Sequence, residues 1–261
     1  MLKEKLTLMV HSCDKFSDLW DAHFSLLNKN WADRDVDTYL VTDLPTEKNF
    51  DGVTVFSAGE GKEFSERIQT VLPNIKTEYV LVTLDDYFDI YPILNEKIGR
   101  LIDIMEKEKL DYICIFDRPK TTVKYKDYKD LYEVDLTKDY RVNLYPGIWR
   151  KNFMAKTIRE PLNAWMYEVS LTPIARELGA RCVQSKGGEF PILDVVRKGK
   201  LLRKSNRYLK KHNLYHGDRP VRTVKEEFSL FVITWGNRLL PRFIVNAAKK
   251  ILHLKTFSDG Q

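Results

Sequence analysis

The sequence predicts an α/β fold in which a mostly parallel sheet is flanked by helices. Two features of residues 1–117 lead to this expectation: strand and helix patterns alternate along the chain, and the strands are continuous apolar runs. Strands that are apolar on both faces are typical of sheets covered by helices on both sides. With 261 residues, 43% of them hydrophobic, the chain is long enough to build one such domain.

Five apolar segments have the length of strands, and each ends at a polar residue or a turn. They are Leu6–Val10, Val36–Val41, Val53–Phe56, Tyr79–Leu84 and Tyr112–Phe116. Apolar residues at helical spacing lie between them: Phe16 to Trp31, Phe64 to Leu72 and Leu94 to Met105. Pro73 should stop the second helix and Pro92 should open the third. Beyond residue 117 the periodicity weakens, and helical patterns return at 151–158 and 164–178.

The adjacent acids Asp85 and Asp86 are the sharpest chemical feature, because they end a buried strand. Two neighbouring carboxylates repel each other there unless a cation or hydrogen bonds compensate. Oxygen ligands of this kind suit Mg²⁺ or Mn²⁺ bound to a diphosphate. A helix cap or an ordinary pair of loop acids is the alternative interpretation. Ser12, Asp43 and Asp117 also follow strands, at the edge where such sheets bind ligands.

Charge is distributed unevenly along the chain. Residues 1–117 contain 13 basic and 23 acidic residues, whereas residues 118–261 contain 30 basic and 14 acidic ones. Residues 197–261 alone contain 16 basic and 4 acidic residues. This indicates an anionic partner, either a phosphate-bearing ligand, a membrane surface or nucleic acid, unless the lysines only form a solvated helical face.

Other patterns exclude several classes of protein. Three widely spaced cysteines and an N-terminus without a signal-peptide pattern predict a cytoplasmic protein. The absence of Gly-x-Gly-x-x-Gly, Walker and Gly-x-Ser-x-Gly patterns counts against dehydrogenases, P-loop enzymes and hydrolases. His212 and His216 have the spacing of zinc ligands, but no third ligand is visible and Gly217 favours a loop. We therefore predict no zinc site.

Three sequence segments together resemble a known family. They are His-Ser-Cys-Asp-Lys-Phe-Ser-Asp-Leu-Trp from residue 11, Gly-Lys-Glu-Phe-Ser-Glu-Arg from residue 61, and Tyr-Val-Leu-Val-Thr-Leu-Asp-Asp-Tyr-Phe from residue 79. In their order over residues 5–199 they resemble bacterial GT-A-type glycosyltransferases of capsule, exopolysaccharide and O-antigen gene clusters. The resemblance implies a GT-A-like (Rossmann-like) catalytic domain over 1–222, with a donor-binding half (1–117) and an acceptor-side half (118–222). A basic amphipathic helical extension would follow at 223–261.

The resemblance also implies where a nucleotide-sugar donor would bind. Ser12 and Asp14, in the turn after the first strand, would lie near the base and ribose, and Asp43 near the base. Arg67, one turn into its helix, would face a phosphate or the ribose. Lys200, in a basic loop, would neutralise the diphosphate leaving group.

The family's metal motif is Asp-x-Asp, and this sequence departs from it. Leu84 stands at the position of the first acid and Asp86 at the second. The resemblance therefore implies that Asp86 is the metal ligand, with Asp85 as a second candidate that also contacts the donor. The implied ion is Mg²⁺ or Mn²⁺.

Two segments are candidates for the acceptor side. Asn163–Glu168 resembles the Trp-x-x-Glu stretch of related enzymes, which makes Glu168 the candidate base for inversion and Trp165 an acceptor contact. Asp117, at a strand end, is the reserve base. In Pro146–Arg150, a glycine turn and Trp149 would form a platform for a sugar, unless Trp149 is simply a core residue.

The predicted reaction moves a sugar from a UDP-linked donor to a hydroxyl of a polyprenyl-diphosphate-linked glycan. The apolar and basic C-terminal helix would contact the anionic inner face of the cell membrane, and no nucleic acid is expected as partner. Two alternatives remain: a non-catalytic basic module that binds anionic membrane or nucleic acid, and a sugar nucleotidyltransferase. The turn His-Ser-Cys-Asp-Lys fits the triphosphate loop of the latter poorly.

Overall fold

The computed structural model describes residues 1–228. The chain divides into two compact units, Met1–Leu193 and a second unit from Asp194 onward. The expected helical extension at 223–261 lies, from residue 229, outside the described residues. None of the helices within residues 1–228 combines the length and the apolar character needed to cross a bilayer.

The described elements alternate between strands and helices in the first half of the chain. The strands are β1 (Leu6–His11), β2 (Asp37–Thr42), β3 (Thr54–Ser57), β4 (Tyr79–Leu84), β5 (Tyr87–Asp89), β6 (Tyr112–Cys114), β7 (Leu131–Glu133), β8 (Gly147–Arg150), β9 (Cys182–Ser185), β10 (Ile192–Asp194), β11 (Val196–Arg197) and β12 (Lys200–Leu201). The helices are α1 (Trp20–Asn30), α2 (Phe64–Val71), α3 (Asn95–Glu108), α4 (Lys151–Thr157), α5 (Ala164–Glu177) and α6 (Arg203–Lys211).

Eight strands of the first unit form one sheet, in the order β3-β2-β1-β4-β8-β6-β9-β7. Neighbours among β1 to β4 are parallel, as are β6 and β9, whereas β8 and β7 run antiparallel to their neighbours. The predicted α/β class with a mostly parallel sheet is therefore confirmed. The carboxyl ends of β1–β4, β6 and β9 and the start of β8 share one edge, which we call the carboxyl edge.

The apolar strands are continuous because helices cover both faces of the sheet. In β1, Leu8 and Val10 belong to the core layer that also contains residues of α1 and α3, whereas Met9 belongs to the layer that contains residues of α2, α4 and α5. All three side chains are fully buried. Burying a side chain of this size contributes roughly 1.5–3 kcal/mol.

The sequence predicted a glycine turn within Pro146–Arg150, whereas the structure has strand β8 there. Gly147 is the first residue of β8, and it pairs with Val82 of β4 and with Cys114 of β6. A Cβ atom at this position would lie 2.7 Å from the Tyr112 ring and 3.2 Å from the backbone oxygen of Ile113. Only glycine lets the two neighbouring strands approach so closely.

Candidate active site

The ends of β1 and β4 are joined by a regular backbone register. His11 of β1 pairs with Leu84 of β4, and the next N–H group along β4, that of Asp85, donates to the His11 carbonyl oxygen at 3.1 Å. On the other side, the Ser12 N–H donates to the Val41 carbonyl oxygen at 2.9 Å. Ser12 and Asp85 therefore lie side by side at the carboxyl edge, as two adjacent parallel strands require.

Asp85 is anchored inside the protein. The Ser12 hydroxyl donates to Oδ2 of Asp85, and Nε1 of Trp20 lies 2.6 Å from Oγ of Ser12 and 3.3 Å from the same carboxylate oxygen. All three side chains are buried, with Asp85 only 5% exposed. These hydrogen bonds stabilise a carboxylate that would otherwise be costly to bury. The hydroxyl of Ser12, which was predicted to contact the donor, donates to Asp85. Asp86 is half-buried and is the more exposed acid of the pair.

Asp43 ties the loop after β2 to the loop after β1. Its Oδ1 accepts hydrogen bonds from the N–H groups of Asp14 at 2.7 Å and Leu44 at 3.0 Å, and from the Thr42 hydroxyl at 3.2 Å. Burial opposes ionisation, but these hydrogen bonds outweigh it and lower the pKa of Asp43 below its ordinary value. Two of the predicted donor residues, Asp14 and Asp43, are thus in direct contact.

Arg67 supplies a positive charge next to the end of β1. It lies on α2, where its Nη1 donates to the Lys62 carbonyl oxygen at 2.8 Å and its guanidinium lies 5.8 Å from the centre of the Phe64 ring. Burial, with a contribution from the Arg67 charge, lowers the pKa of fully buried His11 to about 3. Within residues 1–228 the buried Nε of Arg67 has no hydrogen-bond partner. An unsatisfied buried donor on a cation suits an anionic ligand.

The acid pair has the donor atoms for a hard metal ion. No group of three or more His, Cys, Asp or Glu side chains within the described part of the chain is arranged to hold a metal by itself. Mg²⁺ and Mn²⁺ are commonly held by one or two carboxylates, with substrate phosphates and water completing the shell. Asp86, with Asp85 anchored beside it, fits that mode of binding.

Glu168 reaches the carboxyl edge from α5. The Asn163 side chain caps this helix by accepting the Met166 N–H at 3.0 Å, and Oε1 of Glu168 accepts the Leu144 N–H at 3.1 Å. Because Gly147 pairs with Val82, the residues that precede Gly147 run alongside the end of β4. Burial raises the pKa of Glu168, against the opposing effect of the Leu144 hydrogen bond. A half-buried carboxylate with a raised pKa is suited to accept a proton.

Asp117 lies at the same edge, three residues after β6. Its Oδ1 is 3.8 Å from Nε of Arg118, and it is half-buried. A Cβ at Gly187, in the loop after β9, would be in ordinary van der Waals contact with Asp117, 3.5 Å from its backbone nitrogen. The reserve base is therefore next to the Lys186–Gly188 loop.

The remaining predicted residues have different surroundings. Trp149 is 2% exposed and packs on Tyr112 and Phe153, with ring centroids 4.4 and 5.8 Å away. It is a core tryptophan, so no face of its ring is available for a sugar. Trp165, in the first turn of α5, is 67% exposed. Lys200 belongs to the second unit, where its Nζ lies 2.7 Å from Oε1 of Glu226.

Sequence reasoning missed an aromatic cluster at this edge. The Tyr145 ring stacks on Tyr87 on one side, with centroids 5.9 Å apart, and on Phe116 on the other, with centroids 4.4 Å apart. We call Tyr87, Tyr145 and Phe116 the aromatic stack. The signal in the sequence was their position: Tyr87 follows Asp86, and Phe116 precedes Asp117.

No protein-family model matches the chain, and no curated protein matches it by sequence. Solved structures similar to it include TarS of S. aureus (15% identity, TM-score 0.46, 69% of this chain and 35% of TarS) and the mannosyltransferase PcManGT from Pyrobaculum calidifontis in complex with GDP-Man and Mn²⁺ (12%, 0.49, 75% and 58%). Another is the bifunctional IspDF from Campylobacter jejuni (14%, 0.44, 73% and 52%). The chain therefore spans between about a third and three fifths of these proteins, and similarity of this degree establishes no shared activity.

Proposed function

We propose that the chain is a glycosyltransferase that takes a sugar from a nucleotide-diphosphate donor, UDP-linked, and transfers it to a hydroxyl group with inversion. The arrangement of charges at the carboxyl edge carries this proposal. The acid pair Asp85–Asp86, of which Asp85 is anchored, lies at the ends of β1 and β4. Arg67 lies beside the end of β1 with an unsatisfied donor, and Glu168 extends from α5. Such an edge can bind a diphosphate and can also provide a catalytic base.

On the donor side, the chain's residues would orient the nucleotide. Asp86, with Asp85, would hold Mg²⁺ or Mn²⁺, which stabilises the negative charge of a diphosphate leaving group. The Arg67 guanidinium would donate to a phosphate or to the ribose. Asp43, whose carboxylate is fixed by the Asp14 and Leu44 N–H groups, would accept a hydrogen bond from the base.

On the acceptor side, Glu168 would take the proton of the attacking hydroxyl. Its pKa is raised by burial, so its carboxylate is a stronger base than an exposed one, and the Leu144 N–H fixes one of its oxygens. Trp165, which is exposed on the same helix, would contact the acceptor, and Asp117 stays the reserve base.

We extend the proposal to a polyprenyl-diphosphate-linked glycan as acceptor, in surface polysaccharide synthesis at the inner face of the membrane. The charge of the C-terminal segment supports it, since residues 197–261 contain 16 basic and 4 acidic residues. The proposal also includes Lys200 as a group that neutralises the diphosphate. It further includes the division of the catalytic domain into a donor-binding half, 1–117, and an acceptor-side half, 118–222.

Calorimetric titration of UDP, GDP, CMP and TDP with and without Mn²⁺ tests the donor site. We expect UDP to bind in a metal-dependent manner, and Asp86→Asn to abolish that dependence while thermal unfolding is unchanged. Asp33→Asn is the matched control, because Asp33 is exposed in the loop before β2, at the opposite edge of the sheet. Absence of binding for every nucleotide would contradict the proposal. Release of pyrophosphate from UTP and a sugar 1-phosphate would instead identify a nucleotidyltransferase.

A further inference from the structure

Helix α5 is apolar on its outer face as well as on the face that packs in the core. The buried residues of α5 are Tyr167, Leu171, Thr172, Ile174 and Ala175. On the opposite side, Trp165 is 67%, Met166 47% and Val169 41% exposed. We call these three residues and Pro173, which is also exposed, the outer stripe. A helix that is apolar on both sides is typical of one that is covered on both sides, so the outer stripe is a candidate interaction surface.

The outer stripe is a continuous surface. Trp165, Val169 and Pro173 follow each other at intervals of four residues, and Met166 lies beside them. With 3.6 residues per turn and a rise of 1.5 Å, the four positions fall within an arc of about 100° and extend over about 12 Å along the helix. No charged residue lies on this arc before Arg176, in the last turn of α5.

The exposed charged groups at the two ends of α5 balance each other. Arg159, before the helix, donates two hydrogen bonds to the carboxylate of Glu177, at 2.7 and 2.8 Å. Glu160, before the helix, and Arg176, near its end, are also exposed, and within residues 1–228 neither of them forms an ion pair. An anionic bilayer attracts surfaces with an excess of basic residues, which these ends lack. A protein surface that carries both signs of charge is the better match.

The outer stripe is complementary to a second copy of itself. Trp165 lies four positions before Val169, and Pro173 lies four positions after it. When two α5 helices pack antiparallel with these rows aligned, about a two-fold axis at Val169, Trp165 of each copy faces Pro173 of the other. A large ring thus meets a small residue at both ends of the contact. The long side chain of Arg176 then reaches the loop before the second copy's helix, where Glu160 is exposed.

We infer that the outer stripe is the contact surface of a dimer, whose partner is a second copy of this chain. The inference goes beyond the proposed function. An indole ring has two faces, so Trp165 can meet Pro173 of the second copy on one and an acceptor on the other. The stripe is small compared with the roughly 20–30 residues that each partner contributes to a standard interface. The dimer should therefore form in a concentration-dependent manner.

Sedimentation velocity of the full chain, from low micromolar concentrations upward, tests this inference. The mass should rise with concentration from 30.7 kDa towards twice that value. Val169→Glu places two like charges at the two-fold axis, so this variant should stay monomeric at every concentration, with an unchanged thermal unfolding temperature. The matched control is Val123→Glu, the same substitution at a 59% exposed valine before β7, which should associate as the parent does.

A cross-link tests the position of the axis. In the dimer the two Val169 side chains adjoin, so Val169→Cys should form an intermolecular disulfide on mild oxidation, whereas Val123→Cys should not. The parent chain, oxidised in the same way, is the blank for half-buried Cys13, since Cys114 and Cys182 are buried.

A charge exchange tests the pairing at the ends of the contact. Arg176→Glu should weaken the association about fivefold, since the dimer loses two exposed ion pairs, and adding Glu160→Arg should restore it. A parent chain that stays at 30.7 kDa at all concentrations, or a Val169→Glu variant that associates like the parent, would overturn the inference. Monomers that bind phosphatidylglycerol vesicles in a Val169-dependent manner would overturn it in favour of a bilayer. Because these measurements need no nucleotide, their result is independent of the proposed function.

Discussion

The proposed donor and acceptor sides of the carboxyl edge are built in different ways. On the donor side, hydrogen bonds fix single atoms: Asp85 is held by Ser12 and Trp20, and Asp43 by three donors. On the proposed acceptor side, ring stacking fixes the planes of Tyr87 and Tyr145, which are half-buried. Hydrogen bonds define where a charge points, whereas stacking fixes the plane of a ring without fixing any single polar atom. We therefore expect donor choice to be strict and acceptor choice to be broader.

The largest effect should come from Asp86. Asp86→Asn should lower turnover by about a thousandfold, because loss of a metal ligand removes several kcal/mol of stabilisation from the leaving group. The free energy of unfolding should stay the same, and release of UDP from UDP-sugars measures the turnover. If Asp86→Asn keeps full activity, the accessible acid has no part in the reaction, and the donor side must work through Arg67 alone.

The second-largest effect should come from Glu168→Gln, which should lower kcat by about 10²- to 10⁴-fold. Glutamine can still accept the Leu144 N–H, so the fold should be kept. Because burial raises the pKa of Glu168, the parent's activity should fall with decreasing pH from a point above the ordinary glutamate value. This fall of activity at acidic pH should be missing in Glu168→Gln. The control is Glu177→Gln, which replaces an exposed acid on the same helix that is paired with Arg159. This variant should keep both the activity and its fall at acidic pH.

Trp20 tests whether anchoring of Asp85 matters to the site. Trp20→Phe and Trp31→Phe each remove a buried ring and one indole donor, since Nε1 of Trp31 donates to Asn95 at 2.7 Å. Both should lose about 1–3 kcal/mol in urea unfolding. Only Trp20→Phe should also weaken the Mn²⁺-dependent binding of UDP. Equal Mn²⁺ affinity in the two variants would show that the anchor serves stability alone.

The smallest effect should come from the buried histidines. Burial lowers the pKa of both His11 and His23 to about 3, whereas the unfolded chain takes up these protons near pH 6.5. Between these values the unfolded state binds more protons, so stability is lost as the pH falls through that interval. From pH 7.5 to 5.5 each histidine should cost about 1.4 kcal/mol. His11→Phe should remove one such contribution from urea-unfolding curves, whereas the exposed His216→Asn should not.

Strands β1 to β4 could be predicted from sequence because each is a continuous apolar run whose ends fall within one residue of the observed ones. Leu6–Val10, for example, is extended only by His11. The same local signal placed Asp85 and Asp86 at a strand end. Strand β8 escaped prediction because its place between β4 and β6 depends on pairing across distant parts of the chain.

The site was predictable only as far as single segments determine it. Trp20 fitted the apolar periodicity of a helix, which says that a ring is buried but not that its N–H reaches Asp85. From the sequence, Trp149 could equally be a platform for a sugar or a core residue. Its position in β8 and its stacking on Phe153 show that it is a core residue. The aromatic stack joins residues 87, 116 and 145, which meet only once the sheet is assembled.

The late place of β8 in the chain has a consequence for synthesis on the ribosome. Strand β4 finds its second neighbour only when residues 147–150 have emerged, long after residues 79–84. Until then the segment Tyr-Val-Leu-Val-Thr-Leu, without charge or proline, lies at an open edge of the growing sheet. Such an edge pairs readily with other chains. We therefore expect the nascent protein to be most prone to aggregation in this interval, when the strands of the proposed donor side have emerged and those of the proposed acceptor side have not.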